Sequence, residues 1–241
     1  MQPLLRELAT AYTGRHPHVS FDLVAVGSTA GVEALRRGSA DLALVSRELR
    51  SEEEYDARTG ERQLAYTVIA QDAIAVVVSA DNPLPELTRY QIRDIFEGRI
   101  ITWDEVGGSP RDILVISRED GSGTRAAFEE LLMRDHTMTL AALIMPNSEA
   151  MRDYVATHDE AIGYLSMGYL DPGVVALAID GVAPERDAIE GGTYPLTRPF
   201  LLVSLPDPDP EVASFLNFAR SPAGQAIVRR TYGGARAGVP R

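Results

Sequence analysis

The sequence contains neither cysteine nor lysine, and all 23 basic residues of the 241-residue chain are arginine. Without cysteine the chain has no disulfides, thiol nucleophiles or thiolate metal sites. The absence of lysine excludes a P-loop lysine and a lysine Schiff base. Arginine remains, and its planar fork suits the bidentate recognition of an oxyanion.

A basic surface and a long apolar run are also lacking. The net charge of −12 argues against nucleic acid and against an anionic membrane surface as the main partner. No apolar run reaches the roughly 18–20 residues that a membrane span needs, and the N-terminus has no secretory signal pattern. A small anion stays open as a ligand, because salt screens charges beyond about 8 Å.

Strand-like and helix-like segments alternate along the chain, which predicts an α/β fold with parallel sheets covered by helices. The apolar segments 73–78 and 113–116 predict buried strands. Residues 19–26 alternate in polarity and predict a further strand, and the segments 89–96 and 125–133 predict helices.

A polar loop with two glycines, at 117–124, joins a predicted buried strand to a predicted helix. Ligands of open α/β sheets bind beyond the carboxyl ends of strands, and a helix start offers unpaired N–H groups. Ser122 and Thr124 add hydroxyl donors, and Arg118 can make two parallel bonds to an oxyanion. The loop suits a tetrahedral anion, although an ordinary helix cap uses the same residue types.

A second glycine loop, at 27–31, also runs from a predicted strand into a helix. An ordinary cap again explains it, but two such loops favour an anion held between two helix starts. Neither loop is a Walker A motif, which needs a lysine before the Ser or Thr, and neither matches Gly-x-Ser-x-Gly.

The histidines form no cluster with metal-ligand spacing beyond His16 and His18, which flank Pro17 in a predicted surface turn. We expect these two, together with His136 and His158, to be structural or solvated. The sequence therefore predicts no metal site, no cofactor and no catalytic residues.

Six motifs follow one another in a defined order, at 26–32, 40–47, 87–103, 117–124, 161–164 and 194–199. Together they resemble the phosphate-binding proteins of ABC-type phosphate transporters over nearly the whole chain. Ser-Arg-Glu-Asp-Gly-Ser-Gly-Thr at 117–124 is the most specific of the six.

The resemblance implies a two-lobed type II periplasmic-binding-protein fold that closes on its ligand like a hinge. It predicts lobe I at 1–78 and 197–241 and lobe II at 79–196, with crossover strands near 73–79 and 198–204. It also implies a monomeric, extracytoplasmic solute-binding protein, not an enzyme. This protein would capture inorganic phosphate between its lobes and deliver it to the permease subunits of an ABC transporter.

Carried over residue by residue, the resemblance assigns phosphate contacts to Ser28, Thr29, Ser46, Arg118, Asp120, Ser122, Gly123 and Thr124. Asp120 corresponds to the carboxylate that pairs with the arginine. Ser46 stands where some members carry an aspartate that accepts the phosphate proton. Without that aspartate, rejection of sulfate falls to Asp120 or is weaker.

The family begins with a strand and a further phosphate-binding loop, and Met1 to Leu4 correspond to the residues just after that loop. We therefore expect part of the family's ligand site to be missing from the sequence. Three alternatives stay open: binding of another oxyanion such as tungstate, molybdate or sulfate, a phosphate-sensing domain, and an enzyme acting on phosphate esters. The last needs a nucleophile or a metal cluster beside the loops, and the sequence indicates neither.

Overall fold

The structure, a computed structural model, describes residues 1–235. Its helices are α1 Gln2–Thr13, α2 Ser28–Arg36, α3 Ser51–Glu54, α4 Arg89–Glu97, α5 Gly123–Phe128, α6 Ser148–Thr157, α7 Arg186–Gly191, α8 Pro210–Arg220 and α9 Pro222–Val228. Its strands are β1 Ala43–Val45, β2 Ala65–Ser79, β3 Glu86–Leu87, β4 Leu114–Arg118, β5 Leu143–Met145, β6 Ala161–Ser166, β7 Val174–Ala176, β8 Ala178–Ile179, β9 Thr197–Ser204 and β10 Gly233–Gly234.

The chain forms two compact units, and each has its own core. The first unit contains Met1–Asp72 and the chain from Arg198 onward, and the second contains Ala73–Thr197. The chain therefore passes between the units twice, once within β2 and once at the beginning of β9. The lobe limits derived from the sequence stay a prediction.

The first unit is built on the antiparallel pair β1 and β9, in which Ala43 lies opposite Val203. Strand β10 pairs with the first half of β2, and α2 packs against β1. Helix α1 buries residues spaced three and four apart, which gives it one apolar face. The core here consists mainly of aliphatic side chains: Val32, Leu35, Ala43, Val45, Leu64, Leu201 and Val203.

Residues 19–26 do not form the strand that their alternation predicts. Val24 and Val26 are 72% and 51% exposed. A strand needs a hydrogen-bonded neighbour, and no ladder among residues 1–235 includes this segment. Phe21 of this segment packs its ring against Phe215 with centroids 4.8 Å apart.

The second unit has a mixed sheet in which β4 lies between β6 and β5 and is parallel to both. The second half of β2 pairs antiparallel with β6 and β7. The buried strands predicted at 73–78 and 113–116 correspond to parts of β2 and β4, and the helix predicted at 89–96 corresponds to α4. Because β4 and β5 are parallel, their carboxyl ends lie at the same edge of the sheet.

Candidate functional site

In the second unit, the loop 119–121 leads from the end of β4 to α5. Gly121 has a φ of 86°, in the left-handed region that favours glycine. Ser122 caps the helix, and its hydroxyl accepts from the N–H of Arg125 at 3.3 Å. The helix predicted at 125–133 therefore begins earlier, at Gly123, and continues as a π-helical turn over Glu129–Met133. Ser122, Gly123 and Thr124 are buried at this helix start.

Arg118, the last residue of β4, is 7% exposed. Its Nη1 donates to the hydroxyl of Ser148 at 3.0 Å. Ser148 is the first residue of α6, which follows β5, and Met145 of β5 lies in register with Arg118. The Arg118 guanidinium thus contacts the start of α6, and Arg118 is followed directly by the loop that leads into α5. Positive charge and helix N-termini together favour an anion.

The carboxylate that pairs with Arg118 is Glu119, not Asp120 as the resemblance implied. Nε and Nη2 of Arg118 donate to the two Glu119 oxygens at 2.8 and 2.9 Å. Asp120 instead lies 2.7 Å from Nη1 of Arg125, and its side chain is 94% exposed. The physical reason is that Arg125, which also donates to the carbonyl oxygen of Arg118, attracts Asp120 to the outer side of the loop.

Directly before the loop, a buried pair of hydroxyl groups connects β4 to β6. Ser117 Oγ and the Tyr164 hydroxyl are 2.9 Å apart, and neither residue is exposed. The Tyr164 ring stacks on Phe128 of α5 with centroids 4.1 Å apart. Burial raises the pKa of Tyr164 to about 12, so this hydroxyl is neutral at physiological pH. The packing holds α5 in a fixed position on β4 and β6.

In the first unit, the structure brings the predicted residues Ser28 and Ser46 together. Gly27, with a φ of 80°, precedes α2, and Ser28 is the first residue of that helix. The N–H of Ser46 donates to Ser28 Oγ at 3.2 Å, and the two hydroxyl oxygens are 3.5 Å apart. Since Ser28 is 3% exposed, this hydroxyl pair has a fixed position at the start of α2.

A buried ion pair supports this loop from one side. Arg47 donates to both oxygens of Glu53 at 2.6 and 2.7 Å, and its Nη2 lies 3.4 Å from Thr29 Oγ1. Burial raises the pKa of Glu53, but hydrogen bonds from Arg47 and the Arg50 N–H outweigh it and hold this pKa below its ordinary value. The predicted contact residue Thr29 is thus connected to α3 through a charged pair.

A second buried pair fixes the backbone of Ser46. Arg198 donates to Asp72 at 2.9 Å through Nε, and its Nη1 donates to the carbonyl oxygen of Ser46 at 3.1 Å. Arg198 and Asp72 are 2% and 0% exposed. These buried bonds therefore hold the backbone of Ser46, and with it the Ser46 side chain, close to the beginning of β9.

Sequence reasoning missed Ser148 and the supporting role of Arg47. Asn147 caps α6 and accepts from the Ala150 N–H at 2.8 Å, so Asn-Ser-Glu after an apolar segment was a readable helix start. No comparable signal exists for the pair of Arg198 with Asp72, because those residues are 126 positions apart.

Neither a membrane helix nor a metal cluster accompanies these loops. Within residues 1–235, no helix has the length and apolarity to cross a bilayer. Among the same residues, the groups of three or more potential metal ligands include none of the predicted phosphate contacts.

Sequence comparison shows that the chain is similar to phosphate-binding proteins. A family model described as the PBP superfamily domain matches residues 1–223. The chain is 30% identical over 251 residues to the phosphate-binding protein PstS of Pseudomonas aeruginosa, covering 93% of this chain and 77% of that protein. It is also 30% identical over 197 residues to PstS of Bacillus subtilis, covering 81% of this chain but only 64% of that relative.

Structural comparison gives a consistent result. A Clostridium perfringens protein, whose crystal structure contains bound phosphate, has a TM-score of 0.91 and 34% identity, with 97% of this chain and 95% of that chain covered. An ABC-type phosphate transport receptor from Vibrio cholerae has a TM-score of 0.75 and 33% identity, with 95% and 93% covered. Both comparisons extend over nearly the full length of each chain.

Proposed function

The chain belongs to the PBP superfamily and, within it, to the family of the phosphate-binding proteins PstS, and from this membership we propose that it binds inorganic phosphate. The predicted two-lobed type II α/β fold is confirmed, and so is the prediction of a solute-binding protein that is not an enzyme. We propose phosphate contacts from Ser28, Thr29 and Ser46 in the first unit and from Arg118, Ser122, Gly123 and Thr124 in the second, whereas the Asp120 side chain, 94% exposed and paired with Arg125, is not among them.

The observation that carries the proposal is the buried guanidinium of Arg118. A charged group that is 7% exposed needs partners of opposite charge or strong acceptors. One partner is Glu119, whose carboxylate supplies a single negative charge. Two neighbouring helix starts add partial positive charge, which an oxyanion would compensate. Hydrogen phosphate supplies both charge and several acceptor oxygens in a tetrahedral arrangement.

The loop chemistry alone supports an oxyanion, and the choice of phosphate rests on the family. A carboxylate facing the ligand would accept the proton of hydrogen phosphate and repel sulfate. Neither candidate residue supplies such a carboxylate in the structure. Residue 46 is a serine, and the Asp120 side chain is 94% exposed. Sulfate, molybdate and tungstate are therefore the competing ligands that any binding experiment needs to include.

Calorimetry with Arg118→Ala tests the assigned site. Removing one partner of a buried, hydrogen-bonded charge contact costs about 2–5 kcal/mol, so we expect phosphate affinity to fall roughly 30-fold or more. Arg111→Ala is the matched control, because Arg111 is an arginine of the same unit that is 58% exposed and pairs with Asp159. Its phosphate affinity should equal that of the unaltered chain.

Two results would refute the proposal in distinguishable ways. Phosphate affinity within threefold of the unaltered chain for Arg118→Ala would show that the site is elsewhere. Absence of phosphate binding by the unaltered chain, together with binding of tungstate or sulfate, would show that the ligand is a different oxyanion.

Delivery of phosphate to the permease subunits of an ABC transporter is the use we propose for this binding, outside the cytoplasm. We also propose that the protein acts as a monomer. Light scattering with and without phosphate checks the oligomeric state, and the expected mass is that of one chain in both conditions. A dimer mass in either condition would contradict the monomer proposal.

A further inference from the structure

Three potential metal ligands meet in the first unit, on elements that the proposed phosphate contacts do not use. His16 and His18 lie in the turn after α1, and Glu211 lies in the first turn of α8. One ligand atom from each of the three lies within 4.8 Å of the others. His18 Nε2 is 3.2 Å from Glu211 Oε2, and His16 Nδ1 is 3.8 Å from Glu211 Oε1.

The two histidine–carboxylate separations are close to those of a tetrahedral metal site. Zinc ligands lie about 2.0–2.2 Å from the ion, so two ligands of one tetrahedral ion are roughly 3.3 Å apart. The two histidine–carboxylate separations differ from this value by a few tenths of an ångström, and because the three ligand atoms lie within 4.8 Å of one another, closing the set on one ion needs a side-chain movement of up to about 1.5 Å. His18 can make the larger part of this movement, because its side chain is 68% exposed.

A neighbouring tyrosine holds two of the three ligands in orientation. The Tyr12 hydroxyl donates to Glu211 Oε1 at 2.6 Å. The Tyr12 ring stacks on His16 with centroids 4.1 Å apart and planes 5° apart, and Tyr12 itself is 1% exposed. Groups that bond to metal ligands in this way raise metal affinity by fixing ligand geometry.

Glu211 carries its charge at neutral pH. An ordinary Glu carboxyl is ionised at that pH, and Glu211 accepts a hydrogen bond from Tyr12. An ionised carboxylate beside two imidazoles is a donor set that zinc binds well. Mg²⁺ and Ca²⁺ prefer oxygen ligands and are disfavoured here.

We propose that His16, His18 and Glu211 form a binding site for one Zn²⁺ ion, with the fourth position left to water. The sequence alone predicts that both histidines are structural or solvated, because His-Pro-His offers only two ligands. The third ligand comes from a residue 193 positions away from His18. A bound ion would connect the end of α1 to the start of α8.

Calorimetry with ZnCl₂ in phosphate-free buffer at pH 7.5 tests the site on the full chain. We expect one ion per chain, and at least about tenfold weaker binding for His18→Asn and for Glu211→Gln. Glu211→Gln keeps an oxygen that accepts from Tyr12, so this variant alters the ligand with little change in packing. His136→Asn is the matched control. His136 contacts Glu97 at 2.8 Å, but within residues 1–235 no third potential metal ligand lies beside this pair.

Tyr12→Phe separates ligand orientation from ligand identity. It retains the ring that stacks on His16 and removes the bond to Glu211, so zinc should bind with the same stoichiometry and roughly tenfold lower affinity.

Three outcomes would overturn the proposal. The first is no zinc binding up to 100 µM, which would leave the cluster a set of ion pairs. The second is equal zinc affinity in the His18→Asn/Glu211→Gln double variant and the unaltered chain. The third is binding of Mg²⁺ or Ca²⁺ as tightly as Zn²⁺, which would contradict the imidazole ligands. All of these readouts are independent of phosphate binding.

Discussion

At the scale of single residues, Ser46 is the predicted contact residue whose side chain bears most directly on the choice between phosphate and sulfate. Its hydroxyl oxygen is 3.5 Å from that of Ser28, and Arg198 fixes its carbonyl oxygen. A hydroxyl both donates and accepts, so it can bond to hydrogen phosphate and to sulfate. If Ser46 contacts the ligand as we propose, its hydroxyl alone would not distinguish the two anions.

Ser46→Asp should increase the preference for phosphate over sulfate. The new carboxylate would accept the proton of hydrogen phosphate but face only acceptor oxygens on sulfate. We expect the ratio of the two affinities, measured by calorimetry, to rise at least about tenfold, or 1.4 kcal/mol. Ser39→Asp, at an exposed position after α2, controls for added charge. An unchanged ratio would mean that residue 46 does not face the ligand.

At the scale of elements, the pair of Arg47 and Glu53 joins the turn after β1 to α3. Both side chains are buried, with 4% and 8% exposure. Such a pair contributes little net stability compared with apolar side chains, but loss of one partner leaves an uncompensated buried charge. The pair therefore fixes the geometry of the first-unit loop, in which Arg47 also reaches Thr29.

Glu53→Gln should destabilise the first unit by about 3 kcal/mol. This is the lower end of the range for breaking a buried ion pair, because the amide oxygen still accepts one bond from Arg47. Urea unfolding followed by circular dichroism measures the change. The exposed neighbour Glu52 provides the control variant Glu52→Gln, which should stay within about 0.5 kcal/mol of the unaltered chain. Equal stability of the two variants would disprove the supporting role.

The same pair predicts a pH dependence with a definite sign. The pKa of Glu53 is lowered in the folded chain, so its stabilising contribution is fully present above the ordinary Glu pKa of about 4.3. It is lost as the pH falls through the lowered folded value. The stability difference between the unaltered chain and Glu53→Gln should therefore be constant from pH 5 to 7 and shrink below about pH 4. A difference that grew on acidification would contradict this assignment.

At the scale of the whole molecule, ligand binding and folding stability are linked. An anion that binds only the folded chain stabilises it by about 2.7 kcal/mol at 100 times its Kd. Thermal unfolding with phosphate, sulfate, molybdate and tungstate should thus show the largest shift for phosphate. Arg118→Ala should show a much smaller phosphate shift, whereas Arg111→Ala should behave like the unaltered chain. A full phosphate shift in Arg118→Ala would contradict the assignment of Arg118.

The sequence by itself determined the α/β class, the buried segments inside β2 and β4, and the glycine loops before α2 and α5. Each of these depends on residues that are neighbours in the chain, because periodicity, caps and glycine turns are local properties. The order of the six motifs also identified the family.

Only the tertiary structure decided which side chains meet. It paired Arg118 with Ser148, left residues 19–26 without a ladder among the described residues, and placed Glu211 beside His18. The physical reason is that hydrogen bonds and ion pairs can join residues that are far apart in the chain. A sequence pattern reveals only relations between residues that are close together in the chain.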